Sequence, residues 1–421
     1  MLSPPVFVSR GMVRLRPLVP NLLSLADQGT VSATRLLLSV LVGRALGAEE
    51  LGHYALALTA VYLVEGIVET LATLPYTVFR HRAENPRAYA GSALLLATVV
   101  GIGVGLAGVA AAVAIGGPLG SVLLVLAAAL PARALAEAAR RVAFAHERVA
   151  SALALDVGLA VILAGGALAA SSAGVLTVPL AVGLYGLGSG IPTLVWLATE
   201  GRRLAHLDLG CFVPDAVRNW RFGRWVLGTR LTLMGRAHGI PWLLAAVAGA
   251  SQVGLLDAAG KIAGLAVPVL ISVANVLTPR VARAFDEAGP AGVRRVVLRT
   301  TGALVVLTAA LVVTLTAGAD LALGTLYGAD FTGHQALVGT IGLGLVMESI
   351  GIAADAGLWA IDRPHVGLWI GLAAIAVLAA VGAWSIPAYG ALGAASAMAA
   401  ASATGAALQL TLFLRMTRPA A

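Results

Sequence analysis

Long apolar runs separated by short polar breaks occupy nearly the whole chain. Six runs, at 20–46, 52–78, 88–115, 119–142, 149–171 and 175–198, fill the first half, and six more, at 222–249, 252–281, 293–317, 335–360, 364–385 and 388–414, fill the second. About 20 mostly apolar residues in a helix cross the hydrocarbon core of a bilayer, so each run is long enough to span it. None shows the period-two alternation of a barrel strand, and lipid admits only structures that pair their backbone groups internally. The pattern predicts an all-α polytopic membrane protein of about twelve transmembrane helices.

Composition agrees: 59% of the 421 residues are hydrophobic and 11% are charged. Such a chain has too little polar surface to cover a soluble domain. The formal net charge of +8 would suit nucleic acid, but the arginines sit in the short breaks, where they meet a membrane surface instead. No nucleic-acid partner is expected.

Short cytoplasmic loops collect positive charge, and the division here is sharp. Arg10, Arg14 and Arg16, then Arg80, Arg82 and Arg87, then Arg140, Arg141 and Arg148, then Arg202, Arg203, Arg218, Arg221 and Arg224 fall on one side. Arg280, Arg283, Arg294, Arg295, Arg299, Arg363, Arg415 and Arg418 continue the series, whereas the breaks at 116–120, 171–176 and 249–252 contain no Lys or Arg. Both termini are therefore expected in the cytoplasm. The stretch Met1–Pro20 is too broken by proline to be a signal peptide and reads as a cytoplasmic lead-in.

The expected organisation is a lead-in over 1–19, a six-helix bundle over 20–198, a cytoplasmic linker over 199–221, a second six-helix bundle over 222–414 and a tail over 415–421. An internal repeat supports the two bundles. Gly47-Ala48-Glu49-Glu50-Leu51-Gly52 aligns with Gly249-Ala250-Ser251-Gln252-Val253-Gly254, each between the first and second helix of its half. Six helices per copy leave both copies in one orientation, which implies a pseudo-two-fold axis along the membrane normal.

Ionisable residues at membrane depth cost about 2.5 to 3.5 kcal/mol each on insertion scales, so they face a cavity or a partner. The first half carries Asp27, Arg35, Glu65, Glu69, Arg133, Glu137 and Asp156, and the second Arg230, Arg236, Asp257, Lys261, Glu348 and Asp355. Four-residue spacing puts Asp257 beside Lys261 and Arg133 beside Glu137 as internal pairs. Glu65 and Glu69 share a face with like charge, which suits either a proton or cation site or pairing with arginines of another helix. Glu65, Glu69, Asp27 and Asp257 are the candidate ion-coupling residues. Arg35, Arg230, Arg236 and Lys261 are the candidate ligands of an anionic head group, because a guanidinium fork matches phosphate oxygens. The alternative for Arg35 and Arg230 is snorkelling or pairing with Asp27 and the glutamates. No His/Cys cluster has metal-ligand spacing, Cys211 is the single cysteine, and Gly254–Ile262 lacks the spacing of a phosphate-binding loop. No cofactor or metal is expected.

The opening Asp27-Gln28-Gly29-Thr30-Val31-Ser32, running into Val42-Gly43-Arg44-Ala45-Leu46-Gly47-Ala48-Glu49-Glu50-Leu51-Gly52, resembles the polysaccharide transporter family, the O-antigen type flippases. The parent group is the multidrug/oligosaccharidyl-lipid/polysaccharide exporter superfamily. Val253-Gly254 and Ala258-Ala259-Gly260-Lys261-Ile262, followed by Leu277-Thr278-Pro279-Arg280, are similar too. Leu51 stands where these flippases often have an aromatic residue, Leu256 where tyrosine is common, and Arg35 where a neutral polar residue is expected. The resemblance implies a MATE-like fold in the bacterial inner membrane. It also implies movement of an undecaprenyl-pyrophosphate-linked oligosaccharide to the periplasmic leaflet by alternating access, and the acidic candidates make a proton or sodium the expected coupling ion. The implied partners are that lipid-linked oligosaccharide, membrane lipids, and polysaccharide polymerases or glycosyltransferases. The competing function is a multidrug antiporter of organic cations, whose cavity should be acidic and aromatic; here only 5% of residues are aromatic. An enzyme is not expected, since the external breaks are short and that near 317–334 holds only Asp320 and Asp330.

Overall fold

A computed structural model describes residues 18–361 and 366–417, with side chains described from residue 29 onward except at 225, 229, 233, 236, 237, 275, 278, 279, 359 and 360. Arg10, Arg14, Arg16, Arg363 and Arg418, and the side chains of Asp27 and Arg236, therefore lie outside the described residues. No strand occurs among the described residues. The helices are α1 (Leu18–Val68), α2 (Leu74–Phe79), α3 (Pro86–Ile115), α4 (Gly117–Ala145), α5 (Val149–Ser172), α6 (Val178–Trp196) and a single turn, α7 (Arg202–Leu204). They continue as α8 (Leu209–Ala248), α9 (Ala250–Ala263), α10 (Val267–Ala317), α11 (Ala319–Leu326), α12 (Gln335–Ala360) and α13 (Val366–Met416).

Nine helical stretches among the described residues are long and apolar enough to cross a membrane, and two of them hold more than one pass. Gly47, at φ 84°, breaks α1, and the chain folds back there. In one straight helix Arg35 and Glu65 would be about 45 Å apart at 1.5 Å per residue, whereas their side chains meet at 3.8 Å. Gly390, at φ 54°, divides α13 in the same way, and Gly289, at φ 58°, divides α10. With α8, whose apolar end is His238–Ala248, each of the twelve runs of the sequence is helical over most of its described residues. The stretch expected as a linker over 199–221 is itself helical from Leu209 onward. Asp208 caps it: Oδ1 accepts from the Gly210 N–H at 2.9 Å, which satisfies a donor that the first turn leaves open.

The described chain divides into two compact units, one of the chain to Leu38 with Val61–Leu227, the other of Ser39–Ala60 with the chain from Gly228. In the first unit α4 packs on α3 and α6, and α6 packs on α5. Lipid supplies no hydrophobic drive between helices, so close van der Waals contact must hold them. Gly101 and Gly105 provide it, lying against Pro131 and Ala134 and against the Ala127 carbonyl of α4.

In the second unit α12 packs on α10 and α13 around Leu277, Val281, Val297, Leu358 and Phe413. The repeated motifs meet here. Gly47 and Gly249 adopt the left-handed conformation at equivalent positions, φ 84° and 89°. A Cβ on Gly52 would overlap the Ala250 carbonyl oxygen, and one on Gly254 would overlap that of Ala48. The contact is reciprocal, as a local two-fold relation between repeats requires.

Candidate functional site

The charged residues of the first unit form one ladder of ion pairs. On α4, positions 133, 137, 140 and 141 share a face because they are three, four and seven or eight residues apart. Arg133 donates from Nη2 to Glu137 Oε2 at 3.2 Å, and Arg141 donates from Nε to Glu137 Oε1 at 2.8 Å. Arg140 lies 3.5 Å from the same carboxylate and donates from Nε to Asp156 Oδ2 of α5 at 2.7 Å. Glu137, with its side chain 5% exposed, is thus the common partner of three guanidiniums.

Two rungs join α4 to the start of the chain. Nε and Nη2 of Arg133 both close on Glu65 Oε1, at 2.8 and 2.7 Å, while Glu65 Oε2 faces Arg35 Nη2 at 3.8 Å. Arg141 Nη2 lies 3.8 Å from Glu69 Oε1. The π-helical turn Glu69–Thr73 that carries Glu69 has a local cause: Pro75 lacks the N–H that would bond the carbonyl of Leu71. Aromatic rings lie beside two of the arginines, with Arg35 Cζ 4.9 Å from the Tyr62 ring centroid and Arg133 Cζ 5.7 Å from that of Tyr185.

Burial falls along the ladder. Arg133, Glu137 and Asp156 are buried, whereas the side chains of Arg35 and Arg141 are 34% and 40% exposed. The ladder offers two accessible guanidiniums backed by a fixed, neutralised interior. Such a surface can hold an anion through bidentate charge-assisted hydrogen bonds.

Glu65 and Glu69 each face an arginine of α4, at 2.7 and 3.8 Å. Arg133–Glu137 and Asp257–Lys261 pair as their spacing predicts, the latter at 3.1 Å. Sequence reading counted Arg140 and Arg141, at the end of the 119–142 run, only among the cytoplasmic-side arginines, but they belong to this ladder. The signal was present in their helical register with Arg133 and Glu137.

Lys261 and Arg230, grouped with Arg35 by sequence reading, belong to the second unit. There Asp257 accepts from Lys261 Nζ and, at 2.8 Å, from Ser39 Oγ, and Ser39 Oγ lies 3.0 Å from the Tyr327 hydroxyl. Arg44 donates to the Thr325 carbonyl at 2.7 Å, and Trp242 Nε1 donates to Thr59 at 2.7 Å. These bonds seat the Ser39–Ala60 corner. The second unit also contains a cavity of about 270 Å³ lined by Glu348, Asp355, Ser402 and Gln409, in which Glu348 accepts from Ser402 at 3.2 Å. Among the described residues no group of three or more His, Cys, Asp or Glu could hold a metal ion.

No family model matches the sequence, and comparison with curated proteins finds no match. Solved structures do match. An inward-facing MATE-family multidrug resistance transporter of the MOP superfamily aligns with a TM-score of 0.72 at 13% identity, over 92% of this chain and 94% of that one. The lipid II flippase MurJ, in an inward closed conformation, aligns at 0.75 and 12% identity, over 94% and 90%. A MOP superfamily transporter from Pyrococcus furiosus, described by the reverse polarity of its binding pocket, aligns at 0.61 and 14% identity, over 94% and 93%. The chain shares the fold of these transporters, that of a polytopic multi-pass membrane protein, and none of the three is an enzyme.

Proposed function

We propose that this protein is a flippase that moves a polyprenyl-pyrophosphate-linked oligosaccharide from the cytoplasmic to the periplasmic leaflet of the bacterial inner membrane by alternating access. The observation that carries the reading is the arginine ladder of the first unit, with Arg35 and Arg141 accessible at its edge. A pyrophosphate needs fixed guanidinium forks away from bulk water, and a ladder whose inner positions are already neutralised holds them in place. The fold shared with a lipid II flippase supports the class of cargo, and the resemblance of the first helix and turn to O-antigen type flippases supports an oligosaccharide destined for surface polysaccharide.

Losing one charge-assisted contact costs about 1.5 to 3 kcal/mol, which is about tenfold to a hundredfold in affinity. Arg35→Ala should therefore cut translocation of a fluorescent lipid-pyrophosphate sugar in proteoliposomes by about that factor at normal protein levels. Arg35→Lys should restore only part, because a point charge lacks the fork. Unchanged transport by Arg35→Ala would remove the head-group site from this ladder.

One observation favours a second reading, a cation antiporter: the cavity of the second unit is lined by the carboxylates of Glu348 and Asp355. Accumulation of a cationic dye driven by a proton or sodium gradient, with no movement of the lipid-pyrophosphate sugar, would replace the flippase reading by this one.

A further inference from the structure

Glu65 is shared unevenly between its arginines. Arg133 places two nitrogens on Oε1, and Oε2 has only Arg35, at 3.8 Å. Arg35 makes no hydrogen bond to a described side chain, so its N–H donors remain open to a better acceptor. A phosphate oxygen is such an acceptor, and it would occupy the place on Arg35 that Glu65 Oε2 now holds.

Charge balance then restricts what can happen. The ladder joins four guanidiniums, of Arg35, Arg133, Arg140 and Arg141, to four carboxylates, of Glu65, Glu69, Glu137 and Asp156. A sugar-linked pyrophosphate brings a negative charge on each phosphate to the end of the ladder that already holds the carboxylates of Glu65 and Glu69. Unpaired charge in low-dielectric surroundings is costly, and protonation of a carboxylate relieves it. Among the described residues, the charged or titratable groups around Glu65 are Arg35 and Tyr62 of α1, Arg133 and Glu137 of α4, Tyr185 of α6, and Glu69, one turn further on and held by Arg141. Among them Glu65 alone loses a partner when an anion takes Arg35, because Glu137 keeps Arg133, Arg140 and Arg141.

We propose, on the reading of Arg35 as a head-group ligand, that cargo binding is linked to the uptake of one proton by Glu65. The phosphate displaces Oε2 from Arg35, a proton from water joins Oε2, and the new O–H donates to a phosphate oxygen. Oε1 continues to accept from Arg133. No covalent bond to the cargo forms or breaks.

The test uses the purified full chain in detergent and a short-chain polyprenyl pyrophosphate carrying one sugar, whose phosphates do not titrate near neutral pH. Proton uptake is read with an indicator dye in weak buffer, and affinity is measured across neutral pH. The wild type should take up one proton per molecule bound, with affinity falling about tenfold per pH unit over that range. Glu65→Gln should bind at least as tightly, with no uptake and no such pH dependence. Binding to the wild type without proton uptake, or full uptake by Glu65→Gln, would overturn the linkage while leaving the head-group site standing. Absence of binding at every pH would overturn the head-group site and the linkage with it. Should Glu65→Gln fail to fold, the proton count of the wild type decides alone.

Discussion

Glu137 and Glu65 sit on one ladder and answer to different demands. Glu137 is buried and common to three arginines, so its removal strands several charges at once. Breaking a buried ion pair by deleting one partner costs about 3 to 5 kcal/mol, although the intact pair contributes little net stability. Glu137→Ala should thus lower the folded fraction in detergent, read as a large fall in the thermal midpoint, whatever cargo is present. Glu65, held at the accessible edge, should show its effect in the proton linkage instead. A Glu137→Ala protein as stable as wild type would mean that water reaches the ladder and screens it.

The close crossing of the repeats belongs to the scale of the element. Because a Cβ on Gly52 would strike the Ala250 carbonyl and one on Gly254 that of Ala48, Gly52→Ala and Gly254→Ala should each destabilise the protein by about 1 to 3 kcal/mol through overpacking. The double variant should cost less than the sum, since both residues act on one contact; strict additivity would show that the two glycines do not meet.

The spans and the four-residue ion pairs were legible in the sequence because both depend on local spacing. The aligned turns at Gly47 and Gly249 were legible through repetition. The rung from Glu65 to Arg133 was not, because 68 residues separate the partners and helical periodicity fixes a face without saying which helix meets it. The crossing of Gly52 with Gly254 was hidden for the same reason. Arg35, Arg230 and Lys261 were grouped by charge and by their place in the two repeats, and Lys261 is engaged by Asp257 in the second unit.

At the scale of the whole molecule, the proposed orientation can be tested directly. Reporter fusions at Pro118, Ala173 and Ser251 should report the periplasm, and fusions at Asn85, Asp208 and Glu287 the cytoplasm. Cys211, the single cysteine, is an independent reporter that should react with an impermeant maleimide only from the cytoplasmic side. Its thiol is pushed up by the hydrogen bond to Asp208, so labelling should quicken as pH rises. A swapped pair of neighbouring fusions would break the twelve-pass topology. The reciprocal seat of Gly52 and Gly254 also bears on how the protein is made. Ribosomes add about 5 to 20 residues per second, so the roughly 200 residues between the two glycines take roughly 10 to 40 seconds to appear. For that interval the Ser39–Ala60 corner waits in the bilayer without its partner helix, a window in which a membrane chaperone or a protease competes with folding for the nascent chain.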